Sequence, residues 1–195
     1  VLHSVKLVLM GFVAAVAVGV PLGLAMGWSR SFEAFANPAF LLLRPIPPLA
    51  WIPLAIVWLG LGDAAKVLII WFAAFVPAVI NSYSGVRAIE PHLIEAARML
   101  GVPSRMLVRE VLIPGALPMI FTGLRLSMQA CWTTLVAGEL IGAIAGLGHV
   151  LYQASLDLFP AMIVVGMAAV AATGAAMTAL LGWIERRAMP WRAQA

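Results

Sequence analysis

A chain of 195 residues that is 64% hydrophobic and only 10% charged carries more apolar surface than a soluble domain can bury, which excludes a water-soluble globular fold and predicts a polytopic membrane protein. The formal charge of +4 does not indicate a nucleic-acid partner, because the basic residues sit in short groups beside apolar stretches and form no continuous patch. A single cysteine, Cys131 inside an apolar run, excludes an internal disulfide and reads as a small buried hydrophobe.

Roughly 20 residues at about 1.5 Å each are needed to cross a hydrocarbon core of about 30 Å. The first span reads from Lys6 to Trp28 and contains Gly11, Gly19, Pro21 and Gly23, residues that membrane helices tolerate and use for close contact. From Ser29 to Pro48 the chain is mixed, with Arg30, Glu33, Asn37 and Arg44. Here Leu41-Leu42-Leu43 reads as an interfacial or partly re-entrant stretch, and Pro45, Pro47 and Pro48 block regular helix. A short second span over 49–61 contains Pro53 and closes at Gly60-Leu61-Gly62-Asp63. The third, over 64–83, starts with Lys66 and has Pro77 inside, which predicts a kink.

Residues 84–115 are too charged for lipid and form a solvent-side loop, after which a fourth span covers 117–141. Gly142 to Leu158, without Lys or Arg, is a second connection with room for a short helix. The fifth span, 159–183, stops at Glu185-Arg186-Arg187. The expected fold is an all-α transmembrane bundle, one domain over 1–195 with five visible spans. The start at Val1, without Met or a signal sequence, leads to the expectation of a missing sixth span on the N-terminal side.

Lys and Arg are unevenly shared between the two faces. Arg30 and Arg44, then Arg87, Arg98, Arg105 and Arg109, then Arg186, Arg187 and Arg192 fall on one face if all five spans cross, against Lys6 and Lys66 on the other. The positive-inside rule puts the 84–115 loop and the C-terminus in the cytoplasm.

Within that loop Pro91 suits a first helical turn, Glu95 to Leu100 are helix formers, and Gly101 fits the left-handed position after a helix end. Pro103 starts a second helix that runs through Leu107 and Val108 to Ile113 and is expected to end at Pro114. Ala96 and Ala97 allow close approach, while Met99, Leu100, Met106 and Leu107 offer flexible apolar surface between charged rims. Composition alone leaves two readings, a helix that docks into a partner's groove and an amphipathic loop on the lipid surface.

Ionisable groups inside spans are candidates for function by default. Arg125 reads either as a substrate contact or as a side chain snorkelling to the surface, and Glu139 either as a gate or as a helix-packing group. Asn81, Gln129 and Thr133 join them as possible pathway residues, although hydroxyl and amide groups equally serve as bonds between helices. The tryptophans read as interface anchors or packing residues and not as a ligand cage. His3, His92 and His149 are scattered and no nucleophile or metal-ligand grouping appears, so catalytic, metal and cofactor-binding residues are not expected. No phosphate-binding GxxxxGK[ST] run occurs, and Lys6 and Lys66 have no phosphate-loop context.

Glu95-Ala96-Ala97, then Gly101 after three residues, then Val111, Ile113 and Pro114 resemble the EAA loop of ABC-transporter permeases, the inner-membrane components of binding-protein-dependent import systems. Val111 and Ile113 stand where that family commonly has Ile and Leu, and both keep the branched apolar character. Arg44-Pro45-Ile46-Pro47-Pro48-Leu49-Ala50-Trp51-Ile52-Pro53, Gly60-Leu61-Gly62, Phe121-Thr122-Gly123-Leu124-Arg125 and Gly146-Leu147-Gly148 are similar to the branch importing sulfonates, taurine, nitrate or bicarbonate. The resemblance implies a bacterial inner-membrane protein in which Glu95, Ala96, Ala97, Gly101, Val111, Ile113 and Pro114 couple to an ATPase. It also implies the partners: a second permease subunit in a homodimer, two ATP-binding subunits carrying ATP and Mg, a periplasmic or lipid-anchored solute-binding protein, and membrane lipid. Related permeases carry thiamine or pyrimidine precursors, which is the alternative within the class. A membrane scaffold or intramembrane enzyme is the alternative outside it, and Arg125 and Glu139 alone do not supply the convergent groups an enzyme needs.

Overall fold

The computed structural model describes residues 1–142 and 146–191, so Arg192 of the C-terminal basic group lies outside the described residues. Its elements are α1 (Leu2–Trp28), α2 (Arg30–Leu43), a 3-10 turn (Pro48–Trp51) leading into α3 (Ile52–Leu59), α4 (Asp63–Arg87), α5 (Pro91–Met99), α6 (Ser104–Leu107), a π turn (Val108–Leu112), α7 (Ile113–Gly142), α8 (Leu147–Leu156) and α9 (Pro160–Ala188). Among the described residues α1, α4, the continuous stretch Ser104–Glu139 and α9 are long and apolar enough to cross a membrane, and α2 with Pro48–Leu59 makes a fifth candidate bent by 82°. The connection predicted to have room for a short helix contains α8.

The bundle is built on α1 and α4. Gly11, Ala15, Gly19, Gly23 and Gly27 recur at every fourth residue of α1 and so form one stripe along a helix face. A Cβ added at Gly11 would stand 2.6 Å from Ile70 Cγ2, and one at Gly23 would stand 2.5 Å from the Val79 carbonyl oxygen. The missing side chains let the two backbones touch. In lipid, where burial of apolar surface supplies little drive, that close packing holds helices together. Contacts advance in the same direction along both helices, Gly11 on Ile70, Gly19 on Ala78 and Gly27 on Val86. The two helices are therefore parallel, and the chain between them has to travel back the length of α4.

The return path is α2 and α3. At its start Glu33 is paired with Arg87 and accepts from Tyr83 Oη at 2.5 Å, both near the end of α4. Further on, Phe40 meets Phe75 edge-on at 6.3 Å, and Trp51 stacks on Phe72 at 4.1 Å. Finally Ile52 and Ala55 pack on Ala65 and Ile69, close to the start of α4. This corrects two expectations. The stretch before Pro48 is largely regular helix, α2, and the fifth candidate span is not confined to 49–61: α2 supplies its first half, and Pro45, Pro47 and Pro48 lie at the 82° bend between the two arms. Arg44 consequently sits at the bend, alongside the middle of α4, and not on the loop-bearing face where charge counting puts it.

Helix α7 runs antiparallel to α4, with Gly85 against Ala116 and Met119, Gly123 against Asn81, and Ser127 Oγ donating to the Ala74 carbonyl at 2.7 Å. The helix expected to stop at Pro114 does not stop. Proline has no N–H to give to the carbonyl four residues earlier, and here the ladder widens into the π turn, where the Ile113 N–H reaches Val108 O. The wider turn absorbs the missing donor, and the helix continues into α7.

Replacing Gly23 by leucine forces the α1–α4 contact apart, and overpacking of this kind costs about 1–3 kcal/mol or more. The thermal unfolding midpoint of the detergent-purified protein is expected to fall clearly in Gly23→Leu and to stay unchanged in Gly182→Ala, where an added Cβ meets nothing within 4 Å.

Candidate functional site

The loop between α4 and α7 folds as two short helices about a tight turn. Pro91 occupies the first turn of α5. At its other end the Val102 N–H bonds back to Ala97 O at 3.1 Å and the Gly101 N–H to Arg98 O at 3.0 Å, the paired bonds of a Schellman cap. Gly101 adopts φ +73° with open space around it, so it is needed for its conformation and not for room. No residue of α5 is buried, and the apolar tip protrudes, Met99 at 89% and Leu100 at 83% exposure. Glu95 is exposed and lies 3.9 Å from His92 one turn earlier. Ala96 is exposed and Ala97 half-buried.

Beneath α5 a cleft of about 300 Å³ is lined by Trp28, Arg30, Arg87, Ile94, Glu95 and Arg98 among others. It lies between the helix and the bundle, and on α5 only Ile94 and Ala97 are half-buried. The other coupling candidates lie apart from it: Val111 is half-buried in the π turn, while Ile113 and Pro114 are in the first turn of α7. What seats this second half of the loop is Leu107 and Leu112, both buried; Leu107, expected among the exposed apolar groups of the docking surface, is only 1% exposed and serves packing instead, and Leu112 has no place in the motif. Their spacing of five follows the π turn and not the α period.

The intramembrane candidates divide into two groups. Arg125, Gln129 and Thr133 succeed one another at every fourth residue of α7 and line a cleft of about 400 Å³ with Trp132, Gly174 and Thr178, between α7 and α9. Arg125 is paired with Glu185 of α9. Asn81 and Glu139 are engaged elsewhere. Asn81 Nδ2 donates to Pro77 O at 2.9 Å.

Glu139, at 1% exposure, is a carboxylate that has to be satisfied inside the protein. Ser4 Oγ donates to its Oε1 at 2.9 Å, the Gly148 N–H donates to its Oε2 at 2.6 Å, and the Leu147 N–H donates to Ser4 Oγ at 3.1 Å. The carboxylate thus caps the positive end of α8 from another helix. A Cβ at Gly146 would fall 2.1 Å from Glu139 Oε1, which explains the first glycine of Gly146-Leu147-Gly148. Sequence reasoning had that tripeptide as part of a resemblance only, and Ser4 left no signal at all.

Several membrane crossings around one protruding, capped loop define a membrane-embedded subunit that works with a partner. Residues 19–190 match the model of the binding-protein-dependent transport system inner membrane component family, and the chain belongs to that family, the permease subunits of ABC transporters. It is 37% identical to the taurine transport system permease protein of Escherichia coli (strain K12) over 191 residues, covering 98% of this chain and 70% of that one. It is 32% identical both to the putative aliphatic sulfonates transport permease protein of Bacillus subtilis (strain 168) and to a bicarbonate transport system permease protein of Synechococcus elongatus, in each case over 94% of this chain and 66% of the relative. The fold is similar to that of a chain in the inward-facing MetNI methionine ABC transporter, with a TM-score of 0.78 at 20% identity over 96% of this chain and 94% of that one.

Alanine at position 101 meets no steric conflict but pays for the left-handed backbone, about 1–2 kcal/mol. Hydrogen exchange in Gly101→Ala is expected to quicken at the Val102 amide and the last turn of α5, with no change in α4 or α7.

Proposed function

We propose that this chain pairs with a second copy to form the pathway of an ATP-driven importer in the bacterial inner membrane, and that the solute is a small anion of the taurine, sulfonate, nitrate or bicarbonate type. Two separate ATPase subunits carry ATP and Mg and grip the two copies of α5, Gly101 and α6; a solute-binding protein, periplasmic or lipid-anchored, delivers the cargo at the opposite face. The observation that carries the docking reading is the exposed, rigidly capped α5, none of whose residues is buried by the described residues of this chain. Arg87, Arg98, Arg105, Arg109, Arg186 and Arg187 gather at the loop-bearing end of the bundle, in keeping with a cytoplasmic loop and C-terminus. The anionic cargo is supported by the taurine, aliphatic sulfonate and bicarbonate systems to which the relatives belong. The single chain leaves most of α9 unburied, with only Gly166 and Leu181 enclosed, which suits a bundle completed by a second subunit and lipid.

Closure of the ATPases displaces α5, and because a partner shifts an equilibrium only through contacts that differ between its states, the grip on Glu95 to Gly101 has to hold through the cycle. Arg125, Gln129 and Thr133 are placed to contact solute along α7, while Glu139 keeps α8 seated. Glu95→Lys reverses a charge on the gripped helix, and Gly101→Pro both removes a cap donor and forbids the φ the turn uses. Each is expected to insert in the membrane normally and to lose ATP-driven uptake at least tenfold in proteoliposomes. Uptake at the unmodified level in both variants contradicts the assignment of the loop.

A further inference from the structure

Resting on that importer reading, we infer that Arg44, at the break between α2 and α3, is an anion-binding residue of the pathway. Between Glu33 and Asp63 the chain contains no other charged side chain. Arg44 is exposed and, among the described residues, has no hydrogen-bonding or ionic side-chain partner. The nearest acid along the chain, Glu33, is already held by Arg87 and Tyr83.

The depth of Arg44 follows from its neighbours. Four residues before it Phe40 rests on Phe75, and seven residues after it Trp51 is stacked on Phe72, so the intervening turn lies level with the middle of α4. Trp71 stacks on Phe75 at 4.7 Å and meets Phe72 edge-on at 5.0 Å, giving the break a stiff aromatic floor. Pro45, Pro47 and Pro48 keep the chain from winding helix there.

Non-helical backbone and an unpaired cation at membrane depth are tolerated only where they line protein or water, not lipid. Breaks of this kind in membrane helices are where transporters expose binding groups. The guanidinium presents a planar fork of donors that suits the oxygens of a sulfonate, carboxylate or bicarbonate. A cation with no internal counter-ion is completed by an anion that arrives and leaves, whereas Arg125, paired with Glu185, is already neutralised.

The test uses Ile46→Cys, two residues along the same turn and 40% exposed, as a thiol reporter; the native Cys131 is buried and gives no background. In the permease assembled with its ATPase and binding protein, the rates of modification by an anionic sulfonatoethyl and a cationic trimethylammonium-ethyl methanethiosulfonate are compared. With Arg44 present the thiol should react from water and favour the anionic reagent. Arg44→Gln should lower the anion-to-cation ratio at least threefold, Arg44→Lys should largely restore it, and taurine uptake should fall at least tenfold in Arg44→Gln. Should Arg44→Gln fail to insert, the preference in the Arg44 protein must itself decline with added salt. A thiol that neither reagent reaches, a ratio indifferent to residue 44 or to salt, or unchanged uptake in Arg44→Gln overturns the inference. If the unmodified complex carries no taurine, the substrate reading falls alone, since the thiol ratios still decide whether Arg44 attracts anions.

Discussion

The contact that the rest of the structure depends on is the glycine-lined face between α1 and α4. Backbone-to-backbone approach over more than four turns is possible only with glycine or alanine at the contact, and it is what makes the two helices adhere where lipid is as apolar as leucine. Because that pairing is parallel, topology requires a crossing between them. The bent α2–α3 unit is the result, and its bend carries Arg44 to mid-depth. Helix α7 then closes the other side of α4 through Gly85 and Gly123, which fixes where the loop emerges and where Glu139 ends up.

A second constraint acts along the bundle. The stretch Ser104–Glu139 is a single helical path of 36 residues, roughly 54 Å at about 1.5 Å per residue. One end is seated by Leu107 and Leu112 beside the loop; the other is tied through its carboxylate to Ser4 and the start of α8. In the proposed importer, force taken up by α5 therefore has a continuous helix to travel along, with a π turn and two prolines near its base as the place where it can flex. The Glu139 network ties α1, α7 and α8 together at the far end.

Much of this was legible in the sequence. Long apolar runs locate α1, α4, α7 and α9 because desolvating so many side chains has one outcome, and Gly101 with Pro91 and Pro103 dictates the shape of the loop through backbone sterics alone. Two of the misreadings treated proline as a terminator. Pro114 is passed by a π turn, and Pro45, Pro47 and Pro48 bend a crossing that tertiary packing on Phe72 and Phe75 keeps together. Contacts between distant positions, such as Ser4 with Glu139 and Arg125 with Glu185, have no local signature, since a hydroxyl or carboxylate in an apolar run looks the same whether it meets a solute or another helix.

The central claim is that α5 is held by an ATPase, and contact-dependent crosslinking tests it most directly. A photoreactive benzoylphenylalanine at Met99, the most exposed large apolar side chain of α5, is irradiated in the membrane-assembled complex, with one at Val150 of α8 as the comparison. A crosslink to the ATPase subunit from position 99 and none from position 150 is the predicted result. Crosslinks from position 99 only to lipid or to the permease itself would contradict the account.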